Sequence, residues 1–168
     1  MTTHKGETAL MAAAKGGKEK CVVVVEELLK HDSDVNQRAD GAGRVTALHL
    51  AASKDADNVA RLLLAHGADP SLRAADGSTP LSRAAKAGAV GVVRELTRHG
   101  VDPNAETDAN TGMTAIHLAA AAGREQVVSD LIDIHNVEVD HLTRGAHALQ
   151  QTALMCAAQH GHADTIRV

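Results

Sequence analysis

The chain of 168 residues carries 17 Lys plus Arg against 21 Asp plus Glu, a formal charge of −4 with histidine neutral, and has no Phe, Tyr or Trp. No apolar run approaches the roughly 20 residues that a membrane helix needs, so a transmembrane span is excluded; a mildly acidic chain without aromatic rings also lacks the charge and the stacking surface that nucleic acid requires. The interior must therefore be built from Leu, Val, Ile and Ala, each large aliphatic side chain contributing roughly 1.5–3 kcal/mol when buried.

In chain order, the first predicted helix opens at Thr8, whose hydroxyl can cap free backbone donors, shows Leu10, Ala13 and Ala14 on one face, and ends at Gly17. A second apolar stripe, Val24, Val25, Leu28 and Leu29, arrives three residues late, so Lys18-Glu19-Lys20 reads as an insertion in the loop or in the first turn of the next helix. Cys21 to Val25 resembles a strand in isolation, but its setting predicts a helix. Residues 37–45, with Asp40-Gly41-Ala42-Gly43, form a turn-rich finger. The same order returns with Thr46, Leu48, Ala51 and Ala52, where Asp55 stands in the expected glycine position.

The clearest copy runs through Asp76-Gly77, a hairpin-tip dipeptide, then Thr79-Pro80, Leu81, Ala84-Ala85, Gly88, Val92-Val93, Leu96 and Gly100. A fourth follows with Thr114, Ile116, Ala119-Ala120, Gly123, Val127-Val128 and Leu131-Ile132. After it IHNVEVD replaces the regular turn and the finger at 141–151 is lengthened. A fifth keeps Thr152, Leu154, Ala157-Ala158 and Gly161, then stops at Val168 partway into its second helix. Successive threonines are 38, 33, 35 and 38 residues apart. Self-similarity at this period means an array of stacked units, each burying its face against its neighbours.

TALHLAA at 46–52, STPLSRAA at 78–85, TAIHLAA at 114–120, HGADPS and HGVDPN resemble ankyrin repeats. The resemblance implies an all-α solenoid of about four and a half helix-turn-helix repeats with β-hairpin finger loops, C-terminally truncated, in a single domain over 1–168. The repeats are expected near 4–36, 44–71, 77–104, 112–140 and, in part, 150–168. The truncated last repeat and the absence of a visible signal peptide lead us to expect an intracellular protein or a piece of a longer one.

Eleven histidines invite a metal site, but most have a place in the repeat. His49 and His117 fill the fourth motif position, where the resemblance implies an imidazole tying neighbouring backbone; His31, His66 and His99 end second helices; His160 and His162 flank Gly161. His135, His141 and His147 are left, at a spacing that fits no familiar zinc pattern. Cys21 and Cys156 fall in the first and last repeats, too far apart in a stack for a disulfide. Gly16-Gly17-Lys18 and Gly41-Ala42-Gly43 lack the spacing of a phosphate-cradling loop, and no nucleophile has an identifiable base. No catalytic, cofactor or metal residues are assigned.

The resemblance further implies a partner face made of finger tips just before each Thr and of first-helix positions seven and eight residues after it. These are Lys5, Glu7 and Lys15; Val45, Ser53 and Lys54; Asp76, Ser78 and Lys86; Asn110, Thr111, Met113, Ala121 and Ala122; and Leu149, Gln151, Gln159 and His160, with Arg44 and Arg83 as neighbours. Any one exposed lysine is more simply a solvated side chain. Yet all seven lysines precede residue 90, up to which 12 basic residues face 11 acidic ones, against 5 and 10 afterwards. The resulting expectation is a non-catalytic protein-binding module of a larger scaffold or regulatory protein, monomeric, cytoplasmic with the nucleus as the alternative, and taking an extended acidic or phosphorylated segment. The competing reading is a targeting domain of an enzyme whose catalytic domain lies outside these residues.

Overall fold

The computed structural model describes residues 7–17, 19–31, 33–40, 43–107, 111–134, 137–144 and 150–167. Ten helices follow in pairs: α1 (Ala9–Gly16) and α2 (Glu19–Lys30), α3 (Ala47–Ser53) and α4 (Asp57–Ala65), α5 (Pro80–Ala87) and α6 (Val90–Arg98), α7 (Ala115–Ala121) and α8 (Glu125–Asp133), α9 (Ala153–Gln159) and α10 (Ala163–Arg167). First helices stack on first helices, α1 on α3, α5, α7 and α9 in turn, while the second helices form a parallel outer row from α2 to α10. This is the expected solenoid.

The repeating residues explain the repeating geometry. Thr8, Thr46, Thr79 and Thr152 each accept a backbone N–H three residues on, at 3.2, 3.5, 3.2 and 3.4 Å. Leu10, Leu48, Leu81 and Ile116, with their alanine pairs, are buried between successive first helices. Alanine keeps those short helices close, and the outer helices supply bulk through Val59, Leu63, Val92, Leu96, Val127 and Leu131. The turn glycines adopt positive φ, as at Gly88 (87°), and Asp55 takes the same left-handed conformation at 53°.

The insertion in the first repeat lengthens the helix: α2 has 12 residues where α4, α6 and α8 have 9, and Cys21 to Val25 lie within it. Among the described residues the fingers form no strand element. Each is closed by a backbone hydrogen bond, Ala39 N to Val45 O, Ala74 N to Ser78 O, Thr107 N to Met113 O and Thr143 N to Gln151 O, at 2.7–3.0 Å. Cys21 is half-buried, Cys156 buried, and both are free thiols; burial pushes the Cys156 thiol up. No helix among the described residues is long and apolar enough to cross a membrane.

Candidate protein-binding face

Two histidines set the relation between first helices and fingers. The His49 ring is fully buried; its Nε2 lies 3.1 Å from Ser78 O, and its Nδ1 lies 3.2 Å from Thr46 N and 2.8 Å from Thr46 Oγ1. Because a carbonyl can only accept, the proton must sit on Nε2, which leaves Nδ1 to accept from Thr46. Burial lowers this imidazole to about 4, so it is neutral at physiological pH. His117 repeats the arrangement: Nε2 donates to His141 O at 2.9 Å and Gln151 O at 3.1 Å, and burial lowers its pKa too. Each histidine thus ties its own helix to the backbone at the foot of the next repeat, as the family resemblance implied.

On this scaffold the end of α3, the body of α5, α7 and two fingers enclose an open hollow of about 470 Å³. Its wall brings together seven residues nominated from sequence: Ser53, Asp76, Ser78, Arg83, Lys86, Thr111 and Met113. Leu118, Ser82, Thr107 and Ala87 also line it and were missed. For Leu118 the signal was its register: it stands four residues after its threonine, a position where Leu50 and Arg83 are likewise half-buried.

The cations of this face are not equivalent. Arg83 is held inside its own repeat: Nε donates to Ser78 Oγ at 2.8 Å and an Nη donates to Asp76 at 3.1 Å. Desolvation works against ionisation of Asp76, but the Ser78 hydroxyl and N–H and the Arg83 guanidinium together hold its carboxyl below the usual range. Lys15 pairs with Glu7 at 3.3 Å. Lys54 and Lys86 are exposed at the ends of α3 and α5 and, among the described residues, have no ion-pair partner. Arg124 reaches from the next repeat to donate to Lys86 O at 3.1 Å, its side chain lying over Gly88, where a Cβ would come within 3.0 Å of it.

Other nominated residues fall elsewhere. Arg44 lines a separate opening with Arg38 and Asp40. Val45 is half-buried in the finger closure, Gln151 and Gln159 bond each other at 2.9 Å, and Ala121 and Ala122 are half-buried at the end of α7. Thr111 O accepts Arg144 N at 2.7 Å, which joins two finger tips. His160 ends α9, its ring stacked on His162. Lys5, Asn110 and Leu149 lie outside the described residues, as do His135 and His147. Among the described residues no group of three metal-ligating side chains forms.

The opposite face carries a pattern the sequence reading missed. Arg61 of α4 pairs with Glu95 of α6 at 3.0 Å, Arg98 adds a second bond to Glu95 at 3.2 Å, and Arg94 of α6 forks onto Asp130 of α8. Both carboxylates are buried, and the hydrogen bonds from Arg61 and Arg94 keep their pKa values low. The signal was a register: Arg61 and Arg94 stand fifteen residues after their threonines, Glu95 and Asp130 sixteen.

Comparison with known proteins agrees with this geometry. The family profile described as ankyrin repeats in three copies matches residues 1–74, 46–107 and 81–168. Mouse BCL-6 corepressor-like protein 1 is 37% identical over 127 residues, which is 76% of this chain and 7% of that protein. The ankyrin repeat protein FPV031 of fowlpox virus is 32% identical over 145 residues, 84% of this chain and 41% of that protein. Human 2-5A-dependent ribonuclease is 41% identical over 59 residues, 35% of this chain and 8% of that protein. The chain spans less than half the length of each relative. It belongs to the ankyrin repeat family, whose repeats serve as protein-interaction modules and are generally non-catalytic.

Proposed function

We propose, from that membership, that this chain is the recognition part of a larger intracellular scaffold or regulatory protein and binds an extended partner segment across the fingers and first helices. The observation that carries this reading is the hollow around Lys86, where an unpaired cation stands beside the apolar surface of Met113 and Leu118. An acidic or phosphorylated residue meets Lys86 and Lys54, and an aliphatic residue of the partner packs on Met113. Charge of this kind mainly raises the association rate, and the apolar half mainly slows release. Arg83 acts differently from the lysines, since its guanidinium is already engaged and shapes the finger. The module works as a monomer, in the cytoplasm or nucleus, without a cofactor.

A second reading has one observation in its favour, the similarity to a ribonuclease of which the chain spans 8%. On that reading the same face would target an enzyme whose catalytic domain lies outside these residues. A displayed library of extended peptides selected on the chain tests the binding proposal. The expected ligands combine an acidic group with an aliphatic residue and are lost by both Lys54→Glu/Lys86→Glu and Met113→Glu. Ligands retained by both folded variants would place the interface elsewhere.

A further inference from the structure

The loops after the outer helices share one turn. The Asp34 carboxylate accepts from Asn36 N at 2.9 Å, Asp69 from Ser71 N at 2.8 Å, and Asp102 from Asn104 N at 2.9 Å. Positions 36, 71 and 104 are therefore equivalent, and at two of them a side-chain amide crosses to the following repeat. Asn36 donates to Gly67 O at 3.1 Å and accepts from Asp69 N at 2.8 Å; Asn104 accepts from Glu138 N at 2.8 Å. At the junction between them the residue is Ser71, whose hydroxyl turns back onto Asp69 at 2.6 Å. Gly100 O and Asp102 N–H, the counterparts of the atoms Asn36 bridges, belong to exposed residues and accept or donate no hydrogen bond within the protein among the described residues.

A cavity of about 310 Å³ opens at this junction, with Ser71, Gly100 and Asp102 in its wall and Pro70, Leu81 and Val101 giving it an apolar lining; Arg73 also lines it, its guanidinium engaged by the carbonyls of Gly77, Glu106 and Thr107. Its size falls at the lower end of the roughly 300–1,000 Å³ typical of small-molecule sites. We propose that this cavity binds a small molecule carrying a primary carboxamide on a branched aliphatic body. The NH₂ group donates to Gly100 O and the carbonyl accepts from Asp102 N–H, reproducing the pair of bonds that Asn36 makes one junction earlier. A carboxylate of the same shape keeps the acceptor but brings no donor to Gly100 O, so the site discriminates against it.

Titration of isobutyramide into the isotope-labelled chain, followed at the Asp102 backbone amide, tests this. A saturable shift is expected, with isobutyrate binding about tenfold or more weakly because one bond is lost and an acceptor left facing negative charge. Ser71→Asn supplies the amide from the protein itself and should weaken isobutyramide by a similar factor. No saturable shift at Asp102, equal binding of the carboxylate, or undiminished binding by folded Ser71→Asn would overturn the assignment. Should Ser71→Asn fail to fold, the amide-against-carboxylate comparison on the unaltered chain decides the matter.

Discussion

Asp55 holds a backbone conformation, φ 53°, that its counterparts Gly17, Gly88, Gly123 and Gly161 adopt without a side chain. The left-handed region costs a residue with a Cβ roughly 1–2 kcal/mol, and burial together with the nearby Asp57 charge also raises the Asp55 carboxyl pKa. Asp55→Gly should therefore stabilise the fold by about 1 kcal/mol, less the entropy glycine regains when unfolded. Thermal melting of the two chains checks this, and an unchanged or lower midpoint would contradict it. His49 gives a second prediction at this scale. The folded ring titrates near 4 and the unfolded one near 6.5, so its contribution is complete above pH 6.5 and lost as pH falls towards 4, about 3 kcal/mol in all. His117 acts in the same direction. Urea midpoints between pH 7 and pH 4.5 should fall steeply in the native chain and less in His49→Ser, which copies Ser82 of the third repeat.

At the scale of elements, the sequence marked both ends of the first helices because one residue type does one local job there: Thr caps, Gly reverses in every copy but the second, where Asp55 stands, and the alanine pair permits close stacking. The outer helices were less legible. Their apolar stripes were clear, but the pairing of Arg61 with Glu95 and of Arg94 with Asp130 joins residues more than thirty positions apart and depends on the rotation of stacked helices. The asparagine bridges escaped for the same reason. Removing Arg94 would leave a buried Asp130 carboxylate with the Gln126 amide at 3.1 Å as its remaining side-chain hydrogen bond among the described residues. Arg94→Ala should lower the urea midpoint at neutral pH. Because the depressed Asp130 pKa contributes stability above the ordinary carboxylate range and loses it below, the gap between variant and parent should narrow as pH drops below about 4. A gap independent of pH would mean that Arg94 acts through packing of its stem.

For the whole molecule, each repeat is stabilised by its neighbours, so stability follows the number of covered faces. Leu10, Leu48, Leu81 and Ile116 are nearly inaccessible, but the equivalent Leu154 is 57% exposed, with Met155 at 53% and Ile166 at 41%. Amide exchange should accordingly be faster in α9 and α10 than in α5 and α6, and equal protection would contradict a nearest-neighbour account. The candidate site was legible at this scale only in part. Periodic position nominated part of the lining of the hollow around Lys86, yet it could not separate an unpaired lysine from the braced Arg83 or reveal that Arg44 lines another opening, since both depend on finger conformation. The most direct test of the central claim is amide-shift mapping of a library-selected acidic-aliphatic peptide on the labelled chain. The account predicts that shifts concentrate at Ser53, Lys54, Lys86, Thr111, Met113 and Leu118; shifts confined to the outer helices α4, α6 and α8 would contradict it.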